Sequence, residues 1–197
     1  MGLSLEGRTV FLDRDGTLNE DTGYIRSPEG FTLFPGVAKA IARLNREGAG
    51  VVLITNQSGV ARGLLTLSDV NAIHHKLKVA LQTEGGWLDV IFFCPHHPEE
   101  GCWCRKPNPG LIEQAQATLE MDLSHSYLLG DKCLDMVLAH RIGAMGILVT
   151  TSPYSQEALQ AIQAGSLKTA HVAASFQEAV DWVIQDGGGR HCEHPGD

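Results

Sequence analysis

The sequence predicts an α/β protein, a doubly wound (Rossmann-like) parallel sheet, and two observations carry that expectation. Short apolar runs at Val10–Leu12, Val51–Ile54, Val90–Phe93, Tyr127–Leu129 and Gly146–Val149 read as strands buried on both faces. Between them lie longer segments with apolar residues at helical spacing, and this alternation is the pattern of parallel βαβ units.

Taken in order, Pro35-Gly36 opens a helix with Val37, Ile41 and Leu44 on one face, closed by Gly48 ahead of the second strand. Thr66 and Asp69 form a capping-box pattern for a helix bearing Val70, Ile73, Leu77 and Leu81, which ends at Gly85-Gly86. His74 and His75 on that helix are expected at its surface. Asn108-Pro109 starts a further helix through Leu119, and another covers Leu134–Ile142. Helices at Gln156–Ala164 and Phe176–Gln185, with a short strand at Ala170–Ala173, complete the pattern.

One domain is expected over residues 1–186, since 197 residues at 43% hydrophobic composition suit a single core. Gly187-Gly188-Gly189 marks residues 187–197 as a flexible tail, although His191, Cys192, Glu193 and His194 put metal-capable groups there. A formal net charge of −8 argues against nonspecific nucleic-acid binding. No apolar stretch approaches the ~20 residues of a membrane span, and Met1–Val10 has no signal-peptide pattern. The expectation is a cytoplasmic monomer acting on a small molecule, without nucleic-acid or membrane partners.

Asp13 and Asp15, in Thr9-Val10-Phe11-Leu12-Asp13-Arg14-Asp15-Gly16-Thr17, stand just past the first strand, where open α/β sheets build ligand crevices. Two acids there are costly unless a divalent cation neutralises them, and Gly16 lets the chain turn so that both face one point. One carboxylate could then attack phosphorus while the other handles protons. A strand-end Asp that caps the next turn is the plainer alternative.

Three further segments follow: Thr55-Asn56-Gln57-Ser58, Arg105-Lys106-Pro107 and Gly130-Asp131-Lys132-Cys133-Leu134-Asp135. Thr55 offers a hydroxyl and Asn56 and Gln57 backbone NH groups for a phosphate, Lys106 a mobile point charge, and Asp131 a hard oxygen ligand suited to Mg²⁺. Asp135 is expected one layer behind, orienting a metal-bound water or Lys106. Together these segments resemble the four motifs of the haloacid dehalogenase superfamily of phosphohydrolases. The resemblance implies that Asp13 becomes an aspartyl phosphate and that Asp15 protonates the leaving alcohol, then serves as base toward water. It also implies Mg²⁺ held by the Asp13 carboxylate, the Asp15 backbone carbonyl and the Asp131 carboxylate.

Cys94-Pro95-His96 and Cys102-Trp103-Cys104 supply three thiols and an imidazole, enough for a closed, structural tetrahedral Zn²⁺ site in a loop at 94–104. Disulfides or buried free thiols are the competing readings, and a reducing cytosol disfavours the first. His97 is a substitute ligand by position.

A DRDGT motif paired with a Cys/His loop before RKP resembles the D-glycero-D-manno-heptose 1,7-bisphosphate 7-phosphatases and their relatives, the histidinol phosphatases. Further matches are Asn19–Tyr24 (NEDTGY), Thr55–Gly63 (TNQSGVARG) and Gly130–Met136 (GDKCLDM). By this resemblance the substrate loops comprise Asp21, Thr22, Gly23 and Tyr24, then Thr55 to Ser58, then Arg105, Lys106 and Lys132, with Arg105 suited to a second phosphate. The Cys/His loop is shorter than in many members, and Cys133 stands where many carry an aliphatic residue. The gaps between motifs are filled by core elements, so no cap domain is expected and loops must select the substrate. A phospho-accepting receiver domain and a phosphosugar-binding protein without turnover are the readings from other classes. The receiver would lack the Cys/His loop, and mere binding would not require Asp15.

Overall fold

The computed structural model describes residues 4–189. Strands β1 (Thr9–Leu12), β2 (Gly50–Asn56), β3 (Val90–Cys94), β4 (Tyr127–Gly130), β5 (Met145–Val149) and β6 (His171–Ala173) form one sheet in the order β3-β2-β1-β4-β5-β6. Every pairing is parallel. The chain therefore builds outward from β1 to β3, returns to the other side of β1, and builds outward again. The reversal opens a crevice between the carboxyl ends of β1 and β4, and the Asp13 and Asp131 loops flank it.

Helices α1 (Val37–Arg46), α2 (Leu67–Gln82), α3 (Gly110–Gln116), α4 (Cys133–Ile142), α5 (Ser155–Gln163) and α6 (Phe176–Gly189) cover both faces. Side chains alternate across β1: Val10 and Leu12 join Val51, Leu53 and Leu129 against Ile41, Leu44, Ile73, Leu77 and Val180. Phe11 joins Val52, Ile54 and Leu128 against Leu111, Ile112 and Leu138 on the other face. All of these are essentially fully buried. At roughly 1.5–3 kcal/mol for each large apolar side chain, this two-sided burial fixes the central strands and thus the ends from which the site is built.

The capping box is present: the Thr66 hydroxyl accepts from the Asp69 amide at 3.1 Å, and the Asp69 carboxylate accepts from the Thr66 amide at 2.7 Å. Between β1 and β2 lie turns, a short 3₁₀ segment at Pro28–Gly30 and α1, with no inserted domain among the described residues.

Two expectations need correction. α3 ends at Gln116 rather than Leu119, where the Thr118 hydroxyl bonds back to the Gln114 carbonyl at 3.0 Å in a tightened last turn. The three glycines at 187–189 are helical and close α6, so the expected boundary at 186 falls inside a helix. The reason is contact: a Cβ on Gly187 would lie 2.4 Å from Leu5 Cδ2 and 2.8 Å from the Ser4 carbonyl oxygen, so the glycine admits the amino-terminal turn. Residues 190–197, with their Cys/His cluster, lie outside the described residues.

Gly187→Val should lower the unfolding free energy by about 1–3 kcal/mol through overpacking. Gly188→Ala, whose nearest neighbour would sit at 3.7 Å, should raise it by up to about 1 kcal/mol through helix propensity. Urea unfolding of the two variants checks both signs.

Candidate active site

Five loops at the carboxyl ends of the strands converge on a cavity of about 410 Å³. Asp13, at the end of β1, is tied to the neighbouring strand by its amide, which donates to the Leu129 carbonyl at 2.9 Å. Its carboxylate lies 2.8 Å from the Lys106 ammonium, which also contacts Asp135 at 2.7 Å. Lys106 and both acids are buried. Burial works against the ammonium, but the Asp13 and Asp135 carboxylates outweigh it and hold the Lys106 pKa above the ordinary lysine value. Asp135 thus orients Lys106, and its other oxygen accepts from the Lys132 amide at 3.2 Å.

Lys106 is delivered by an exchange of bonds with Asn56. The Asn56 side chain donates to the Lys106 carbonyl at 3.2 Å and accepts from the Lys106 amide at 3.1 Å. Asn56 borders the cavity, yet both ends of its amide serve this strap.

Asp131 is buried, and neither carboxylate oxygen has a partner at hydrogen-bond geometry, although the Ser152 hydroxyl beside it works to lower its pKa. Burial, then the neighbouring Asp13 charge, push its pKa up to about 8. Its ligand oxygens and those of Asp13 and Asp135 lie within 4.8 Å of one another. A divalent cation fits this set, because hard oxygens without donors and mutually repelling charges are what such an ion resolves. Gly16 is required here: at φ +89° its missing Cβ would stand 2.1 Å from an Asp131 oxygen.

Asp15 is held differently. One oxygen accepts from Arg14 Nε and Asn19 Nδ2, each at 3.0 Å. The other accepts from Arg14 Nη2 and Gln57 Nε2, each at 2.8 Å. Burial would raise its pKa, but the guanidinium and these donors prevail and hold it below the ordinary carboxylate value. Asp15 thus borders the cavity with both carboxylate oxygens engaged by donors. Gln57 also donates to the Thr55 hydroxyl at 2.9 Å, leaving that hydroxyl's own proton for a ligand.

Asp21, Gly23, Tyr24, Thr55, Gln57, Ser58, Arg105 and Lys132 line the cavity, whereas Thr22 is exposed outside it. Arg105 Nη1 is buried without an acceptor, a donor free for an anion. Lys132 bridges Asp21 at 2.7 Å and lies 5.2 Å from the centre of the Tyr154 ring. The Tyr154 loop is fastened to the Asp13–Asp15 loop by the Thr151 hydroxyl, which donates to the Gly16 carbonyl at 2.6 Å. Tyr154 and Leu134 line the cavity without having been singled out, and Arg14 and Asn19 hold Asp15 from behind it. For Arg14 a signal existed, an arginine fixed between two functional acids; a lone tyrosine after the fifth strand gives none.

Cys94, His96, Cys102 and Cys104 gather at the end of β3. Sulfur–sulfur separations are 3.4 Å for Cys94–Cys102 and 3.7 Å for Cys102–Cys104, and His96 Nδ1 stands 3.2 Å from Cys104 Sγ and 3.5 Å from Cys94 Sγ. Tetrahedral zinc with ~2.3 Å bonds to sulfur sets sulfur–sulfur edges of about 3.8 Å, so the cluster is compatible with Zn²⁺. All four cysteines among the described residues, these three and Cys133, are free. His97 instead caps a 3₁₀ turn, its Nδ1 accepting from the Glu99 amide at 3.3 Å. His75 is exposed as expected, but His74 is buried, contrary to expectation, because its ring meets Arg14 and Phe93 beneath the site.

Fold and site define a HAD-like phosphohydrolase, a phosphoric monoester hydrolase, and the sequence profile of the HAD-hydrolase-like family matches residues 103–179. The D-glycero-beta-D-manno-heptose-1,7-bisphosphate 7-phosphatase of Yersinia pestis is 42% identical over 89% of this chain and 88% of its own length. The D-glycero-D-manno-heptose-1,7-bisphosphate 7-phosphatase of Thermosynechococcus vestitus is 40% identical over 88% of this chain and 94% of its own. The crystal structure of the D,D-heptose 1,7-bisphosphate phosphatase of Bordetella bronchiseptica, complexed with magnesium and phosphate, superposes with a TM-score of 0.84 at 37% identity, covering 91% of this chain and 99% of that one. This chain belongs to the D-glycero-D-manno-heptose-1,7-bisphosphate 7-phosphatase family.

Below pH 8 a proton competes with a cation for Asp131. Magnesium binding at pH 7 should therefore release about one proton, and affinity should fall roughly tenfold per pH unit below about pH 7. Calorimetry in buffers of different ionisation enthalpy measures the proton count.

Proposed function

We infer that this chain is a Mg²⁺-dependent phosphatase that removes the C7 phosphate of D-glycero-D-manno-heptose 1,7-bisphosphate to leave heptose 1-phosphate, in the synthesis of nucleotide-activated heptose. The observation that carries the chemistry is the pairing of Asp13 with the Lys106 ammonium beside Asp131, whose oxygens lack donors. The substrate follows from family membership and from the cations at the mouth.

In the first step an Asp13 oxygen bonds to phosphorus, the bond from phosphorus to the C7 oxygen breaks, and the departing alkoxide takes a proton from Asp15. Lys106 and the Thr55 hydroxyl meet the phosphoryl oxygens as charge shifts. Asp15 rests ionised, held so by Arg14; a dianionic phosphate beside it opposes that hold and favours protonation. In the second step water attacks phosphorus, Asp15 accepts its proton, and the bond to Asp13 breaks with release of phosphate. The chemistry Mg²⁺ supplies when held by Asp13, the Asp15 carbonyl and Asp131 is neutralisation of those acids and of the phosphoryl oxygens.

Arg105 and Lys132 border the same cavity and suit the phosphate that is not cleaved. Histidinol phosphate is the rival substrate. It carries an ammonium where the bisphosphate carries a second anion, so these two cations disfavour it. The β anomer, which the name of the Yersinia pestis relative specifies, is the first to test.

Zn²⁺ held by Cys94, His96, Cys102 and Cys104 serves structure, because four protein ligands leave no open position. The cluster ends one residue before Arg105, so it fixes the backbone that presents Arg105 and Lys106.

Purified protein with Mg²⁺ should release phosphate from heptose 1,7-bisphosphate with a kcat/KM well above that for histidinol phosphate. Asp13→Asn should lower kcat by roughly 10⁴-fold or more. Equal, very low values on all substrates would end the substrate assignment. Cys102→Ser should lose more activity than its fraction unfolded accounts for, and an unchanged kcat in zinc-free protein would separate the cluster from the site.

A further inference from the structure

Arg14 sits between the two acids of the DRD motif but turns away from the cavity, and its guanidinium is 1% exposed. Nε and Nη2 grip both Asp15 oxygens, at 3.0 and 2.8 Å, and Nη2 also donates to Gln57 Oε1 at 3.0 Å. The remaining nitrogen, Nη1, lies 3.2 Å from Nε2 of His74. Since a guanidinium carries donors alone, His74 Nε2 is the acceptor, and the imidazole proton sits on Nδ1. Burial, then the Arg14 charge, keep the ring neutral by pulling its pKa down to about 3. The ring is steered by its edge-on contact with Phe93, 5.6 Å between centroids, and by α2, whose amino end is locked by the Thr66–Asp69 capping box.

We propose that His74 is a positioning residue for the acid/base step, fixing the Arg14 guanidinium in the orientation from which it grips Asp15 and Gln57. The inference rests on Asp15 being the acid and base of the reaction. Removal of the acceptor leaves a buried guanidinium N–H unpaired, which costs more than the loss of a neutral hydrogen bond. Arg14 then rotates to satisfy that nitrogen, and the Asp15 carboxylate loses the bidentate fork that aims it. None of the substrate-facing groups touches His74, so the effect falls on turnover rather than on binding.

The test compares His74→Leu and His74→Gln in steady-state kinetics, with nitrogen NMR of the His74 ring in the unaltered protein. His74→Leu should lower kcat about tenfold or more with KM within about twofold, and His74→Gln, which restores an acceptor, should recover most of the loss. The NMR spectrum should show a protonated Nδ1 and a bare Nε2 from pH 5 to pH 8. A wild-type kcat in His74→Leu, or a proton on Nε2, overturns the proposal. If His74→Leu does not fold, His74→Gln and the spectrum decide: near-wild-type kcat with the Nδ1–H tautomer supports the proposal, and a collapsed kcat in folded His74→Gln overturns it. Asp15→Asn, measured alongside, separates the two levels. Full turnover there removes the acid/base role itself, whereas its loss beside a wild-type His74→Leu removes only the part given to His74.

Discussion

A buried ammonium set between two buried carboxylates, Lys106 between Asp13 and Asp135, is the contact on which the catalytic end of the sheet depends. Taking these charges out of water is expensive, and their attraction compensates only if the geometry is tightly kept. The structure keeps it by anchoring each partner to a different, fully buried piece of the core. Asp13 hangs on β1, Asp135 lies in the first turn of α4, and Lys106 is strapped to the end of β2 through Asn56. The lysine answers for two acids of a three-acid cluster. Asp131 is left over, so the crevice is not a closed ion-pair network, and this remainder is what a divalent cation would neutralise.

The same economy explains why two acids two residues apart behave so differently. Asp13 points into the crowded acidic cluster, whereas Asp15 is gripped from behind by Arg14, Asn19 and Gln57. One strand end thus produces two carboxylates in different surroundings, one sharing its field with Asp131 and Asp135 and one held apart from them, as the nucleophile and proton carrier of the proposed mechanism require. Separating the environments of paired carboxylates is the usual route to separate acid/base roles.

Much of this was legible in the sequence because the signals were local or repeated. Apolar runs of four or five residues fixed the strands, and Thr66-x-x-Asp69 fixed a helix start that the structure reproduces bond for bond. The acids, Thr55, Lys106 and the Cys/His cluster could be read because each stands at a strand end or in a tight spacing. Apart from His74, what escaped depends on tertiary contact. His74 stands four residues after Val70 and three before Leu77, so helical spacing already put it on the apolar face of α2; the surface expectation weighed its polarity over that spacing, and the structure turns it inward onto Arg14. Gly187 to Gly189 carry the composition of a loose end, and only the approach of Leu5 makes glycine the residue that lets the helix continue. Tyr154 joins the cavity through a loop fastened to Gly16, a link no periodicity encodes.

The bridge from Asp21 through Lys132 to Tyr154 spans the mouth of a site over which no covering domain lies among the described residues. Without a ligand, the lysine's charge is already answered by an internal carboxylate. A visiting anion must therefore outcompete Asp21 for the same ammonium. A small, singly anchored ion such as free phosphate gains little by doing so, while a molecule held at its other end by Lys106 competes with its second charge already in place. The doorway is thus self-neutralised, and under the proposed function this would favour long, doubly charged guests over the short product that must leave.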